Sequence, residues 1–261
     1  MSQKDSTWRE YNIHGSADEE ENQPVDIFTT TTNEEDDYET FQYDIDNTIQ
    51  INIRAEAEYD KSTGMSVWKG SEVMCTYLRQ HPEIVHNKKV LELGAGCGLC
   101  GLVCKIVLSP TSVLISDGDH KVLENLRFNV KLNGLQLADE DASPSASKDD
   151  ESIIAVPQLI WGKNHAVNFT KQYGKQDVII ATDCVYMTQS VTPLFDTINE
   201  VLNDTSGIFL FVNTCASTCP IETVFKIAKD AGFITLEEEY WYHEDDREQR
   251  KHPVHVFRRR K

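Results

Sequence analysis

The chain has 261 residues, enough for one α/β domain with a full core and too few for two of comparable size. Its formal charge of −18 is concentrated in segments: residues 1–40 hold 12 acidic and 2 basic side chains, residues 139–151 hold 6 and 1, and the remainder carries only −3. Such acidic blocks repel nucleic acid, whose phosphates need a basic surface, so DNA and RNA are excluded as expected partners and a basic protein is favoured.

Seven cysteines, an odd number scattered along the chain, suit a reducing compartment. The N-terminus lacks an apolar signal core, and no stretch reaches the ~18 apolar residues of a membrane span. The expectation is a monomer of the cytosol or nucleus with no membrane contact.

Residues 1–38 are polar and acidic, contain the run Thr29-Thr30-Thr31-Thr32 and show no apolar period. They read as a disordered segment preceding a folded domain over 39–261. Phe41 to Asp44 and Ile49 to Ile53 alternate with period two around Asp46-Asn47, which predicts an N-terminal hairpin within 39–59. Trp68 follows in a glycine-flanked loop, and Ser71 to Leu78 has helical spacing. On the residues alone Trp68 reads as a lid over the core.

The chain is organised around Val90-Leu91-Glu92-Leu93-Gly94-Ala95-Gly96-Cys97-Gly98-Leu99-Cys100-Gly101. An apolar β run passes directly into closely spaced glycines, as when a buried parallel strand turns tightly into a helix against a ligand. Glu92 is costly to bury, so a cationic or hydroxyl-bearing ligand is expected beside it. Cys97 and Cys100 form a C-x-x-C without a second pair at metal spacing, so they read as packing residues and no metal is expected.

Ser112 to Asp117 is a second strand ending in an acid about 20 residues after the loop, where a carboxylate takes ribose hydroxyls. A one-sided helix, Val122 to Leu132, ends near Asn133-Gly134. Residues 136–152 break the pattern as an acidic insertion, and Ile153 to Trp161 resumes as a strand. Asp177 to Asp183 is a buried strand ending in an acid, followed by a helix from Val191 to Leu202. Gly207 to Asn213, a helix from Ile221 to Ala231, a strand from Phe233 to about Trp241, and Val254 to Phe257 complete the chain.

This alternation predicts an α/β, Rossmann-like, seven-stranded and mostly parallel sheet with helices on both faces. The last two strands lack a crossover helix and should form an antiparallel terminal hairpin. Glu92, Asp117 and Asp183 then arrive at the carboxyl edge of one sheet. Gly96-x-Gly98-x-x-Gly101 fits a dinucleotide, but three acids repel phosphate and favour the sulfonium S-adenosylmethionine.

These residues resemble the class I, seven-strand S-adenosylmethionine-dependent methyltransferases, and within them methyltransferase family 16, mostly protein-lysine methyltransferases. The resemblance spans roughly residues 40–257 and rests on Val67-Trp68, Leu91 to Leu99, Ser116-Asp117, Leu159-Ile160-Trp161-Gly162 and Asp183-Cys184-Val185-Tyr186. It implies that Gly94, Ala95 and Gly96 lie against the methionine part of the cofactor and that Asp117 takes the ribose. Trp161 would pack beside the adenine, Trp68 would border the transferring methyl, and Thr182 would supply a backbone contact. Asp183 would hold the acceptor amine and Tyr186 would wall its channel.

No strong base is assigned, since His120 and His165 lie away from the D-x-x-Y and should be at the surface. The implied activity is methylation of a lysine in a basic, translation-type or chaperone-type protein. A small molecule, a protein histidine or an α-amine is the alternative acceptor. A nicotinamide-dependent oxidoreductase is opposed by the acid-lined edge, and a non-catalytic adaptor by the intact glycines, Asp183 and Tyr186.

Overall fold

The computed structural model describes residues 26–32, 38–45, 48–56, 63–138, 152–214, 219–236, 239–242 and 251–260. Strands β1 (Asp26–Thr32), β2 (Tyr38–Asp44) and β3 (Gln50–Glu56) form an antiparallel sheet in that order. Alternation along β3 buries Ile51, Ile53 and Ala55 on one face, as period two requires. The expected hairpin is the β2–β3 pair, and its Asp46-Asn47 turn lies outside the described residues.

Strand β1 corrects the reading of residues 1–38 as wholly disordered, and with it the domain start at 39. Its Ile27, Phe28 and threonine run are strand formers that the acidic composition around them masked. Residues 1–25 and 33–37, like residues 139–151 of the insertion, lie outside the described residues.

The domain continues with α1 (Lys69–Gln80), β4 (Lys89–Leu93), α2 (Leu99–Val107), β5 (Ser112–Ser116) and α3 (His120–Leu132). Next come β6 (Gln136–Leu137), β7 (Ile153–Ile154), α4 (Lys163–Tyr173), β8 (Val178–Thr182), α5 (Val191–Val201) and β9 (Ile208–Val212). The chain closes with α6 (Ile221–Asp230), β10 (Phe233–Thr235), β11 (Glu239–Tyr242) and β12 (Lys251–Arg259).

The main sheet runs β10-β12-β9-β8-β4-β5, with β11 also paired to β12. Strands β5, β4, β8 and β9 are mutually parallel, whereas β12 is antiparallel to β9, β10 and β11. The mostly parallel sheet with an antiparallel end is therefore as expected, and β4, β5, β8, β9 and β12 are strands the sequence predicts, but two of the expected strands differ. The stretch from Ile153 to Trp161 is not a continuous strand: β7 pairs β6, and beyond it only isolated bridges join Ala155 to Leu114 and Gln158 to Asp117. Pro157, between those bridges, has no N–H to donate. The strand expected over Phe233 to Trp241 is instead split into β10 and β11, both on β12.

Helices α1, α2 and α3, with the N-terminal sheet, cover one core, and α4, α5 and α6 cover the other. In the second core the rings of Phe195, Phe209 and Phe257 interlock at centroid distances of 5.5 to 5.9 Å. Aromatic pairs at such spacing add about 0.5–1.5 kcal/mol each beyond the area they bury.

Three asparagines spaced four residues apart, Asn125 and Asn129 on α3 and Asn133 at its C-cap, fasten the N-terminal sheet to the domain. Asn133 accepts from Asn52 N–H (2.8 Å) and donates to Asn52 C=O (2.7 Å). Asn129 does the same for Arg54, at 2.8 and 3.1 Å, and Asn125 donates to Arg54 C=O. Side-chain amides thus replace a neighbouring strand at the edge of β3, where backbone groups would otherwise lack partners. Asn129 also donates to Cys97 C=O at 3.0 Å, so the same residue braces the glycine turn after β4.

Candidate functional site

The carboxyl ends of β4, β5 and β8 open onto a cleft of about 440 Å³, within the range of small-molecule sites. Gly94 leaves β4 with φ +61°, a left-handed conformation that favours glycine. A Cβ there would stand 2.9 Å from Cys184 Cβ and 3.2 Å from the Trp161 ring, so the turn passes between the segments that follow β8 and the edge bridges. Ala95 N–H donates to Ser116 C=O at 3.0 Å, and Gly96 N–H to Asp117 Oδ2 at 3.2 Å.

Asp117 lies on the cleft wall, its Oδ1 accepting from Asp119 N–H at 3.1 Å. Burial raises its pKa above the ordinary aspartate range, against the opposing hydrogen bonds from Asp119, Gly96 and Gly118. A carboxylate oxygen can accept two hydrogen bonds, so acceptor capacity remains for a ligand hydroxyl. Trp161 lines the same cleft, and the turn after it is held by Gly162 N–H donating to Thr197 Oγ1 at 2.8 Å.

Trp68 and Tyr186 form a second part of the wall, with ring centroids 6.2 Å apart and planes tilted by 56°. Trp68 is the residue before α1, and its indole N–H donates to Thr63 C=O at 2.7 Å. Thr182 is buried against the cleft, where its hydroxyl lies 3.0 Å from that of Ser71.

Of the ten residues singled out in the sequence, Trp68, Gly94, Ala95, Gly96, Asp117, Trp161, Thr182 and Tyr186 line the cleft, and Glu92 and Asp183 do not. Glu92 is fully buried beneath α2, where Oε2 accepts from Gly101 N–H at 2.8 Å. One residue short of the strand end, it faces α2 and lies outside the cleft lining, where the sequence analysis expects it beside a ligand. Burial, the dominant effect, pushes its pKa up to about 8. Asp183, expected to hold an acceptor amine, is also fully buried, with its carboxylate turned to Gly70 and Thr214.

His120 and His165 are exposed, as expected. Lining residues to which the sequence reading gave no role at the site include Thr63, Gly64, Ser71, Cys184, Gln189 and Ser190. Cys184 and Gln189 sit within or just past the D-x-x-Y, a usable signal, whereas Thr63 and Gly64 arrive from a segment of no distinct pattern.

The cleft suits S-adenosylmethionine on its own geometry. The glycine turn brings main chain to the cleft wall beside the Asp117 carboxylate, a set of hydroxyl acceptors, and the Trp161 side chain, an aromatic surface for a base. Among the described lining residues there is no Lys or Arg, so a dinucleotide pyrophosphate would meet Asp117 and Asp119 without a cationic partner.

An open parallel sheet with a glycine turn after one strand and a carboxylate after the next defines a nucleoside-cofactor-binding α/β protein. The chain belongs to the lysine methyltransferase family, whose profile matches residues 47–219. It is 34% identical over 134 residues to human protein-lysine N-methyltransferase EEF2KMT, covering 51% of this chain and 38% of that protein. It is 29% identical over 145 residues to the Cryptococcus neoformans protein N-terminal and lysine N-methyltransferase EFM7, covering 55% and 44%. Over 161 residues it is 26% identical to the calmodulin-lysine N-methyltransferase of Arabidopsis thaliana, covering 60% and 48%. The match thus spans less than half the length of each of these relatives.

Among solved structures the fold is similar to a putative SAM-dependent methyltransferase from Streptococcus mutans, with a TM-score of 0.57 and 12% identity over 87% of this chain and 57% of that one. It is also similar to the ribosomal protein L11 methylase of Lactobacillus delbrueckii subsp. bulgaricus, with a TM-score of 0.51 and 14% identity over 75% and 81%.

Proposed function

We propose that the chain transfers a methyl group from S-adenosylmethionine to the side-chain amine of a lysine in a basic protein. The observation that carries this reading is the cleft itself, with a glycine turn, Asp117 and Trp161 on one part of its wall and the Trp68–Tyr186 pair on another. Family membership and the lysine-directed relatives support the acceptor, and the net charge of −18 supports a basic partner met as a monomer.

The cofactor, when bound, supplies an electrophilic methyl on a sulfonium. Gly94 to Gly96 and Asp117 would hold it from the main chain and the ribose side, with Trp161 beside the base. The remaining task of the protein is to align the amine and keep it neutral. A lysine with a pKa near ~10.4 must lose its proton, and a dry aromatic passage disfavours the ammonium form. Trp68 and Tyr186 would wall that passage and exclude water, and alignment of the reacting atoms supplies much of the rate.

An α-amine is the second acceptor, favoured by the resemblance to EFM7, which acts on both N-terminal and lysine amines by its name. Calorimetry tests the cofactor assignment: S-adenosylhomocysteine should bind, and NAD should not. Tight NAD binding with no affinity for S-adenosylhomocysteine would overturn it.

A further inference from the structure

The D-x-x-Y segment holds an acid that the cleft does not use. Asp183 follows β8 with φ +45°, a conformation unusual for a residue with a side chain that persists only where its surroundings offset the strain. They do hold it. Oδ2 accepts from Gly70 N–H at 2.6 Å and from the Thr214 hydroxyl at 2.8 Å, and Oδ1 accepts from Thr214 N–H. Its own N–H donates to Val212 C=O at 2.9 Å. One buried carboxylate therefore ties the end of β8 to the first turn of α1 and to the chain leaving β9.

The donor on α1 comes from the helix N-terminus, where unsatisfied N–H groups and the helix dipole favour an anion. Gly70 is suited to this contact, because a Cβ there would stand 2.5 Å from Asp183 Oδ2. One residue on, the Ser71–Thr182 hydroxyl pair at 3.0 Å joins the same two stretches again. Trp68 stands two residues before Gly70, and Tyr186 stands three after Asp183. The two rings facing each other across 6.2 Å thus hang from the stretches that the carboxylate joins.

We propose that Asp183 is a positioning residue that sets the gap between Trp68 and Tyr186, acting through Gly70 and Thr214, and that it does not contact the acceptor. The proposal rests on the methyltransferase reading for its kinetic consequence and on geometry alone for its structural one. An aspartate is required because all three partners donate. Asparagine would present an N–H₂ to at least one of them, and a longer acid would displace the helix turn.

The test uses the full chain labelled with 5-fluorotryptophan, with the Trp68 resonance assigned by its loss in Trp68→Phe. Asp183→Asn and Thr214→Val should both shift the Trp68 resonance and leave that of Trp161 in place. Thr214→Ser, which keeps the hydroxyl donor, should restore the wild-type position. In steady-state methyl transfer, Thr214→Val should lower kcat/KM for the acceptor about tenfold, the scale of one hydrogen bond to a charged group. The Asp183→Asn, Thr214→Val double variant should fall little below Asp183→Asn alone, since both break one device.

A Trp68 resonance that stays in place in Asp183→Asn would overturn the proposal. So would wild-type turnover in Thr214→Val beside an inactive Asp183→Asn, which would put the carboxylate on the acceptor. Absence of methyl transfer by the wild-type protein would instead remove the functional reading, and the fluorine spectra would still decide the positioning role.

Discussion

The carboxylate of Asp117 accepts a hydrogen bond from Gly96 N–H across 3.2 Å, so the acid after β5 and the glycine turn after β4 form one surface. If that surface takes the ribose, Asp117→Asn should weaken S-adenosylhomocysteine binding about tenfold and Asp117→Ala about a hundredfold, the scale of one or two hydrogen bonds to a charged group. Burial raises the pKa of Asp117, and protonation turns an acceptor oxygen into a donor. Affinity should therefore begin to fall on acidification at a higher pH than an exposed aspartate would give, and Asp117→Asn should show no such fall. Calorimetry across a pH series reads both effects.

If the rings of Trp68 and Tyr186 wall the acceptor passage, they bear on transfer more than on cofactor binding. Tyr186→Phe keeps the wall and should retain most of kcat, whereas Tyr186→Ala and Trp68→Ala open it to water and should each lower kcat about 10- to 100-fold. Steady-state kinetics with saturating cofactor checks this. Equal loss in Tyr186→Phe and Tyr186→Ala would assign the effect to the hydroxyl.

Glu92 should leave its mark on stability. Its ordinary pKa of 4.5 is moved by burial to about 8 in the folded protein, which keeps a proton that the unfolded chain releases. Its contribution is fully present below pH 4.5 and is lost progressively as pH rises to about 8. Glu92→Gln keeps an acceptor for Gly101 N–H and carries no charge. Its stability relative to the wild-type protein should improve with pH across that window, by up to a few kcal/mol at about 1.4 kcal/mol per pH unit. Denaturant melts at pH 5 and pH 9 measure the difference, and parallel behaviour of the two proteins would refute it.

Asn129 has no exposed surface and serves Arg54 and Cys97 with three hydrogen bonds of 2.8 to 3.1 Å. Asn129→Leu should cost roughly 2–5 kcal/mol by stranding those backbone groups. If the cleft takes the cofactor, it should also weaken S-adenosylhomocysteine binding, because Cys97 belongs to the glycine turn that lines the cleft. Thermal melts with and without the ligand separate the two effects.

Much of this was legible in the sequence because it is local. The run into Gly94 and Gly96 and the spacing to Asp117 are short-range patterns, and the cleft assembles from them. Glu92 and Asp183 were visible as acids near strand ends, but their use depends on which backbone donors stand opposite. Gly101 of α2, Gly70 of α1 and Thr214 after β9 are not their sequence neighbours. Asn125, Asn129 and Asn133 look like the polar face of an amphipathic helix, and only the arrival of the β3 edge makes them buried partners. Pro157 was the missed local signal, for it interrupts the edge strand expected over 153–161.

The most direct test of the central claim is chemical identification of the methylated product. The purified protein is incubated with methyl-tritiated S-adenosylmethionine and a fractionated basic protein extract, and labelled bands are hydrolysed to amino acids. The account predicts label in ε-N-methyl-lysine, abolished by S-adenosylhomocysteine and strongly reduced in Trp68→Ala. Label confined to other residues or to small molecules, from a protein that binds S-adenosylhomocysteine normally, would contradict it.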